Sequence, residues 1–484
     1  MNLGELMKKR AGLVAGPLAF IFLNYFFKAP QLEAEAQAVL ACSAWIAIWW
    51  ITEAIAISAT ALLPIVLFPL SGAMPLKEAV GGYSHPYIFL FIGGFVLALS
   101  MEKWNLHRRL ALMIIKAIGS SPPRIILGFM LATAFLSMWI SNTATTVMML
   151  PIGLAIIRLS SDQNDFSKAL MLAIAYSASI GGIATIIGTP PNLILAGVLE
   201  ETYGVELSFM KWFVFGLPFA LILLFITWYY ISYKAFRLKD LNLSGVSENV
   251  EEQIQALGPL SAPEIRILII FGLTAFAWIS RSFLLQQWIP ALDDAIIAIV
   301  AALILFIVPS KMGAGPIMDW EDMRGLPWGV LLLFGGGISL AIGFARSGLA
   351  DWLGHQLSSL EGTGFLMLLL ILVVSVNFLT EITSNLATTS VVLPILAPLA
   401  LSLDLHPFSL MVAVAIAASC AFMLPVATPP NALVFGSGVI QLKDMLRTGI
   451  WLNLLSAFLL IFFVYFILPW FWGFDPGVHP ENFG

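Results

Sequence analysis

The chain has 484 residues, 60% of them hydrophobic and only 11% charged, with a formal net charge of −5. A soluble domain carries about a quarter charged residues, and no basic run offers a footing for nucleic acid. Repeated apolar runs of about 20 residues instead specify an all-α polytopic membrane protein whose surroundings are a lipid bilayer.

Lys8, Lys9 and Arg10 precede an apolar run at 11–27. The start resembles a signal peptide, but no small-residue cleavage site follows, so 1–35 is read as an N-terminal segment with a retained first span. Spans 2 and 3 are expected at 36–52 and 54–72, parted at Thr52-Glu53, and span 4 at 86–102 with Gly93-Gly94. Residues 103–120 are basic and amphipathic and suit a helix lying in the interface. The run 123–159 is long enough for two half-length helices with Ser141-Asn142-Thr143 at the turn, which predicts a re-entrant hairpin. Span 5, at 169–200, should break at 188–192, because Pro190 and Pro191 each remove a backbone donor. Span 6 falls at 209–236.

A polar stretch at 238–262 reads as a cytoplasmic linker, its acidic residues a solvated face. The order then repeats, with spans 7, 8 and 9 at 263–281, 291–309 and 327–346, and an amphipathic segment at 348–361. A second hairpin is expected at 363–403. Span 10, at 409–440, should break at 427–431; span 11 follows at 445–473 and a tail at 474–484. Matching residues recur 243 positions apart, among them Phe91/Phe334, Gly93/Gly336, Thr145/Thr388 and Pro151/Pro394. Each half, 36–237 and 263–473, has five crossings and one hairpin. Five is odd, so the halves are expected to be inverted repeats, a transporter arrangement. The expected fold is thus eleven transmembrane helices plus two re-entrant hairpins. With the N-terminus inside, 18 of the 23 Lys and Arg, Arg237 and Lys239 among them, fall on the cytoplasmic side, as the positive-inside rule requires.

Polar residues at membrane depth face protein or line a cavity. Four knots of this kind interrupt the apolar runs: Ser141-Asn142-Thr143, Ser384-Asn385-Leu386, Gly188-Thr189-Pro190-Pro191-Asn192 and Ala427-Thr428-Pro429-Pro430-Asn431. A single Ser or Thr in an apolar helix ordinarily bonds its own backbone. Four knots in register, two with paired prolines, point to a site. Free N–H groups at helix ends favour an anion, and free carbonyls and hydroxyls favour a hard cation such as sodium. Ser137 precedes Ser141 by four residues, as Thr380 precedes Ser384, so each pair is expected on one helix face, giving two related cation sites. No Lys or Arg lies within a knot. Bound anion and cations should therefore depend on each other at low dielectric. Glu53 and Glu381, each beside a Thr at a predicted break, are expected in structural hydrogen bonds. The paired glycines are expected to permit close helix packing. Cys42 and Cys420 read as core residues, and the five histidines show no ligand spacing.

These motifs resemble those of the divalent-anion:sodium symporter family, in its sodium-coupled di- and tricarboxylate branch. The resemblance rests on the two Ser-Asn motifs, on ASCAFMLPVATPPNALV at 418–434, and on Trp49-Trp50-Ile51-Thr52-Glu53-Ala54. It implies one sodium site at Ser137, Ser141, Asn142 and the backbone of Gly188. A second would use Thr380, the backbone of Thr383, Asn385 and the backbone of Ala427. It implies substrate contacts from Asn142, Thr143, Thr189, Asn385, Thr428 and Pro429. It further implies a homodimer whose transport domain slides as an elevator. Leu386 departs from the family's usual Thr at a substrate position, so one hydroxyl is replaced by an apolar group. The expected activity is sodium-coupled symport of a C4-type dicarboxylate, with sodium-independent exchange by the same fold as the alternative. An intramembrane hydrolase is disfavoured because no His or Lys base sits in register with Ser141 or Ser384.

Overall fold

The computed structural model describes residues 3–119, 121–159, 164–236, 238, 246–311, 313, 315–357 and 364–480. Within them the chain is helical, and the β contact is a lone bridge between Pro309 and Pro316. α1 (Leu3–Ile21) widens into a π turn at Phe22–Phe26, and α2 (Ala34–Thr52) returns against it. Gly12 and Gly16 set that approach. A Cβ at Gly12 would lie 2.0 Å from Thr52 Oγ1, and one at Gly16 2.5 Å from the Trp45 ring, a small-residue seam of the kind that lets membrane helices close on each other. α2 stops at Glu53, whose φ of 49° is left-handed.

Span 3 is not the single run expected. It forms α3 (Ile57–Thr60) and α4 (Leu63–Ser71), because Pro64 in the first turn of α4 has no N–H to continue the ladder from α3. α5 (Leu76–Ala79) leads to α6 (Pro86–Lys103) and then to α7 (Leu106–Ile118). α7 is amphipathic, yet its Arg109 turns inward to Glu264 at 2.7 Å. α8 (Pro122–Ser137) and α9 (Asn142–Leu159) follow, separated by four residues. At about 1.5 Å per residue they run ~24 and ~27 Å, longer than the half-length helices expected, because α8 stays helical up to Ser137 and α9 is helical from Asn142 onward, leaving only 138–141 for the turn.

α10 (Asn164–Ile183) and α11 (Pro190–Tyr203) flank the first break, and α12 (Phe209–Tyr229) continues as a π segment at Tyr230–Ala235. Part of the expected linker, 239–245, lies outside the described residues, as do Arg237 and Lys239 of the basic count. Its remainder is not all loop: α13 (Val246–Ala256) packs beside α7, with Lys116 paired to Glu251.

α14 (Ala262–Ser280) begins with a Ser261/Glu264 capping box. α15 (Asp294–Ile307), α16 (Trp328–Arg346) and α17 (Leu349–Leu357) follow. Residues 358–363, where the second amphipathic segment ends and the second hairpin begins, lie outside the described residues, as do 481–484 of the tail. α18 (Phe365–Leu379) and α19 (Asn385–Ser402) mirror α8 and α9. α20 (Pro407–Ser419) and α21 (Pro429–Gly436) flank the second break. α22 (Leu442–Phe462) and α23 (Leu468–Trp472) complete the bundle.

The core sits on α10 and α20, the latter buried along its whole length. Of the described helices, eight are long and apolar enough to cross a membrane, α19 among them. The glycine pairs meet expectation. A Cβ at Gly93 would stand 2.5 Å from the backbone of Ala298, and one at Gly336 2.6 Å from the carbonyl of Ala61. Cys42 and Cys420 are buried and unbridged.

Candidate functional site

Each Ser-Asn knot is built by a helix that stops early. α8 ends at Ser137 and α9 starts at Asn142, so Ser137 and Ser141 do not share a helix face, contrary to the spacing argument. Ser137 Oγ instead lies 2.6 Å from Asn142 Oδ1 and 2.7 Å from the carbonyl of Ala178. Ser141 Oγ accepts the backbone N–H of Ala144 at 3.2 Å and caps α9. The second half does the same with a threonine. Thr380 Oγ1 lies 2.7 Å from Asn385 Oδ1 and 2.9 Å from the carbonyl of Ala418. The spacing argument failed at Ser384 for the same reason, since α18 has ended before it. The Thr383 hydroxyl is engaged with the Leu379 carbonyl at 2.8 Å and Thr388 Oγ1 at 2.6 Å.

The breaks are pinned by the last residue of each Thr-Pro-Pro-Asn run. Asn192 Nδ2 donates to the carbonyls of Gly182, Ile183 and Thr185 at 3.3, 3.3 and 2.8 Å. Asn431 Nδ2 donates to those of Ala421 and Leu424 at 3.2 and 3.0 Å. These bonds tie the starts of α11 and α21 to the carbonyls at and just beyond the ends of α10 and α20. Thr189 and Thr428 are the extended residues before α11 and α21. Thr428 Oγ1 accepts the N–H of Asn431 at 3.2 Å, whereas the Thr189 side chain makes no capping bond.

Oxygens converge on Asn142. Its Oδ1 faces Ser137 Oγ at 2.6 Å, the Ala178 carbonyl at 3.2 Å and the Gly188 carbonyl at 3.3 Å; turned over, the amide would donate its nitrogen to the same three. The turned orientation satisfies all three contacts, so the amide gathers the Ser137 hydroxyl and the Ala178 and Gly188 carbonyls around one point, and hydroxyl and carbonyl oxygens are the ligands a hard cation takes. Two glycines make the approach possible. A Cβ at Gly182 would lie 2.7 Å from Asn142 Oδ1, and one at Gly188 2.5 Å from the carbonyl of Gly182.

Glu381 holds the second break. Its carboxyl accepts the N–H groups of Phe422, Met423 and Leu424 at 2.8, 2.9 and 2.9 Å, and Asn453 Nδ2 at 2.7 Å. The expected structural role is met here. It is not met at Glu53, which has a half-exposed side chain 3.8 Å from Lys9 Nζ. Sequence reasoning missed Asn453, whose one signal is a polar residue inside the apolar run of α22.

All four knots open on one cavity of about 1030 Å³. Ser141, Asn142, Thr143, Gly188 and Thr189 line it from the first half, and Thr383, Asn385, Leu386, Ala427, Thr428 and Pro429 from the second. Ser137 and Thr380 stand behind this lining, fully buried. α9, α11, α19 and α21 all begin at the cavity, so four positive helix ends point into it. The cavity extends to the end of the bundle where α1 begins, α2 ends and α16 begins, and there Lys8, Lys9, Thr52, Glu53 and Pro327 line it. The sequence marks Lys8 and Lys9 only as topology signals; their place at the cavity follows from the packing of α1 on α2.

Comparison with known proteins agrees with this architecture. Residues 8–473 match the model of the sodium:sulfate symporter transmembrane region. The chain is 46% identical over 488 residues to the sodium-dependent dicarboxylate transporter SdcS of Staphylococcus saprophyticus, covering 98% of this chain and 93% of that one. It is 47% identical over 478 residues to the SdcS of Staphylococcus aureus strain RF122, covering 96% and 92%. In fold it resembles MtrF of Neisseria gonorrhoeae, with a TM-score of 0.56 at 13% identity over 97% of this chain and 95% of that one. An all-helical bundle, a cavity closed by two repeated Ser-Asn knots, and near-complete matches to family and relatives together place the chain in the sodium:sulfate symporter family.

Proposed function

We propose that the chain is a secondary active transporter that carries a C4-type dicarboxylate such as succinate, malate or fumarate together with sodium across a plasma membrane. The observation that carries this reading is the single cavity set between two Ser/Thr–Asn oxygen clusters and faced by four helix N-termini. The names of its relatives, sodium-dependent dicarboxylate transporters, support the same substrates.

In this reading one sodium is held by Ser137, Ser141, Asn142 and the Gly188 carbonyl, and another by Thr380, the Thr383 backbone, Asn385 and the Ala427 backbone. The carboxylates meet Asn142, Thr143, Thr189, Asn385, Thr428 and Pro429, with Leu386 packing on the carbon chain. Two negative charges in a low-dielectric cavity need compensation, and the partial charge at a helix end falls off within its first turn, so each end stabilises the dianion by about 0.3–1 kcal/mol without neutralising it. The co-bound cations supply the remainder, which makes binding of anion and cation mutually dependent.

Eleven crossings, two re-entrant hairpins and two inverted repeats, with 36–237 and 263–473 as the halves, are the topology that suits this cycle. The N-terminus is then cytoplasmic, and the cavity, open at the end where α1 starts, faces the cytoplasm. Alternating access occurs as an elevator movement of the hairpin-bearing part within a homodimer.

The test is uptake of labelled succinate by proteoliposomes. An inward sodium gradient should drive accumulation, and replacing sodium with choline should abolish it. Uptake driven equally well by trans-loaded dicarboxylate without sodium would instead establish an exchanger.

A further inference from the structure

We propose that Lys8 and Lys9 form an anion-collecting vestibule at the mouth of the cavity, with Glu53 as the counter-charge that keeps it resettable. Among the described residues, the charged ones that line the cavity are Lys8, Lys9 and Glu53. None of them belongs to a Ser-Asn or Thr-Pro-Pro-Asn knot, and all three stand at the end where α1 begins and α2 stops.

Their placement follows from packing. Gly12 and Gly16 hold α1 against the last turns of α2, with Gly12 pressed on Thr52. Lys8 lies four residues before Gly12 and therefore shares its face, which directs it over the C-terminus of α2. Lys9 follows and reaches Glu53 at 3.8 Å. The left-handed backbone at Glu53 ends α2 there and leaves the carboxylate half exposed.

The distance matters. At 3.8 Å, with both side chains more than a third exposed, the ion pair is weak, so an arriving carboxylate can take Glu53's place on Lys9. Lys8 has no carboxylate within ion-pairing distance among the described residues. The low-dielectric walls, lined by Phe91, Phe95 and Val330 among others, focus the field of the two ammonium groups along the cavity axis. Deeper in, helix ends take over. A small dianion thus meets full positive charges first and partial ones second. Glu53 returns to Lys9 once the anion has left, so the vestibule concentrates the anion without trapping it. The natural anion being a dicarboxylate rests on the function proposed above; the electrostatic device does not.

A thiol reporter tests the device independently of transport. Val426 lines the cavity and is 72% exposed, whereas both native cysteines are buried. In the purified full-length chain carrying Val426→Cys, the labelling rates of a sulfonate-bearing and a neutral methanethiosulfonate give an anionic-to-neutral ratio. Lys8→Gln with Lys9→Gln should lower that ratio about fivefold at ~20 mM ionic strength, and by little at ~0.5 M, where the Debye length shrinks to a few ångströms. Glu53→Gln should raise the ratio. An unchanged neutral rate confirms that the variants keep their fold. A ratio unaffected by the double substitution, or a fall that ignores salt, overturns the vestibule.

Succinate transport in inverted vesicles, measured beside it, separates the two proposals. A salt-dependent fall in the ratio with no succinate movement by the unsubstituted chain keeps the vestibule and removes the dicarboxylate. An unchanged ratio with sodium-driven succinate movement removes the vestibule and keeps the dicarboxylate.

Discussion

The two halves build the same oxygen cluster and support it by different means. In the first half, α10 and α11 are parted by six residues, and the break is closed by neutral groups: Thr185 Oγ1 donates to the Met138 carbonyl at 2.5 Å, and Asn192 gathers three carbonyls. In the second half, α20 and α21 are parted by nine residues, and the Glu381 carboxyl collects three consecutive N–H groups and the Asn453 amide. Glu381 stands 243 positions after Met138. One position thus offers a backbone carbonyl in one half and a side-chain acceptor in the other. Asn142 and Asn385, Thr146 and Thr389, and Asn192 and Asn431 keep their identities and their bonds. The parts that recur surround the oxygen clusters and the breaks, while the parts that diverge brace them.

Substitution should expose this difference most at the brace. Glu381→Ala removes the acceptor of the Met423 and Leu424 N–H groups and of the Asn453 amide, and leaves the Phe422 N–H only Asn453 Oδ1 at 3.2 Å; a buried group left unsatisfied costs about 1–3 kcal/mol. The substitution should prevent recovery of monodisperse protein, read by size-exclusion chromatography and thermal unfolding in detergent. Thr185→Ala, its counterpart, removes one neutral bond, should cost about 1 kcal/mol and should leave the protein folded. Comparable losses from the two would contradict the asymmetry.

The glycine of the first break comes next. Gly188→Ala forces a Cβ against the Gly182 carbonyl at 2.5 Å. Overpacking of this kind costs about 1–3 kcal/mol and should raise the sodium concentration for half-maximal uptake at least tenfold. Ala427 already carries a Cβ at the equivalent place, so Ala427→Gly should shift that concentration little. Ser137→Ala and Thr380→Ala each remove one hydroxyl oxygen from a cluster. Each should raise half-saturating sodium about tenfold, the equivalent of ~1.4 kcal/mol, with uptake at saturating sodium preserved. The smallest effect is expected where the two Ser-Asn knots differ in the cavity wall, Thr143 against Leu386. Leu386→Thr should change half-saturating succinate a few-fold, within the worth of one hydrogen bond of about 0.5–1.5 kcal/mol, and should leave the sodium dependence untouched.

Much of this site is legible in the residues because the bilayer restricts the choices. Apolar runs near the bilayer's thickness locate the helices, and Pro190-Pro191 and Pro429-Pro430 mark breaks that no other residue pair would mark as sharply. The spacing argument for Ser137 and Ser141 failed because it assumed continuous helix through 138–141, where the chain has turned; Ser137 meets Asn142 instead. The uniformly apolar composition of 54–72 reads as one span, and the break is signalled by Pro64 alone. Glu53 and Glu381 looked alike, each beside a threonine at a break. What separates them is tertiary: three backbone donors face one, and a lysine from α1 faces the other. Lys8, Lys9 and Asn453 act through contacts with distant segments, and no local pattern encodes such contacts.

The central claim is that the two oxygen clusters bind sodium and the anion as one unit. Succinate binding to the purified chain, followed by calorimetry as sodium replaces choline at constant ionic strength, tests it most directly. Succinate affinity should be negligible in choline and should rise with sodium with a Hill coefficient above one, falling toward one in Ser137→Ala and in Thr380→Ala. Succinate binding of equal strength in choline and in sodium would contradict it.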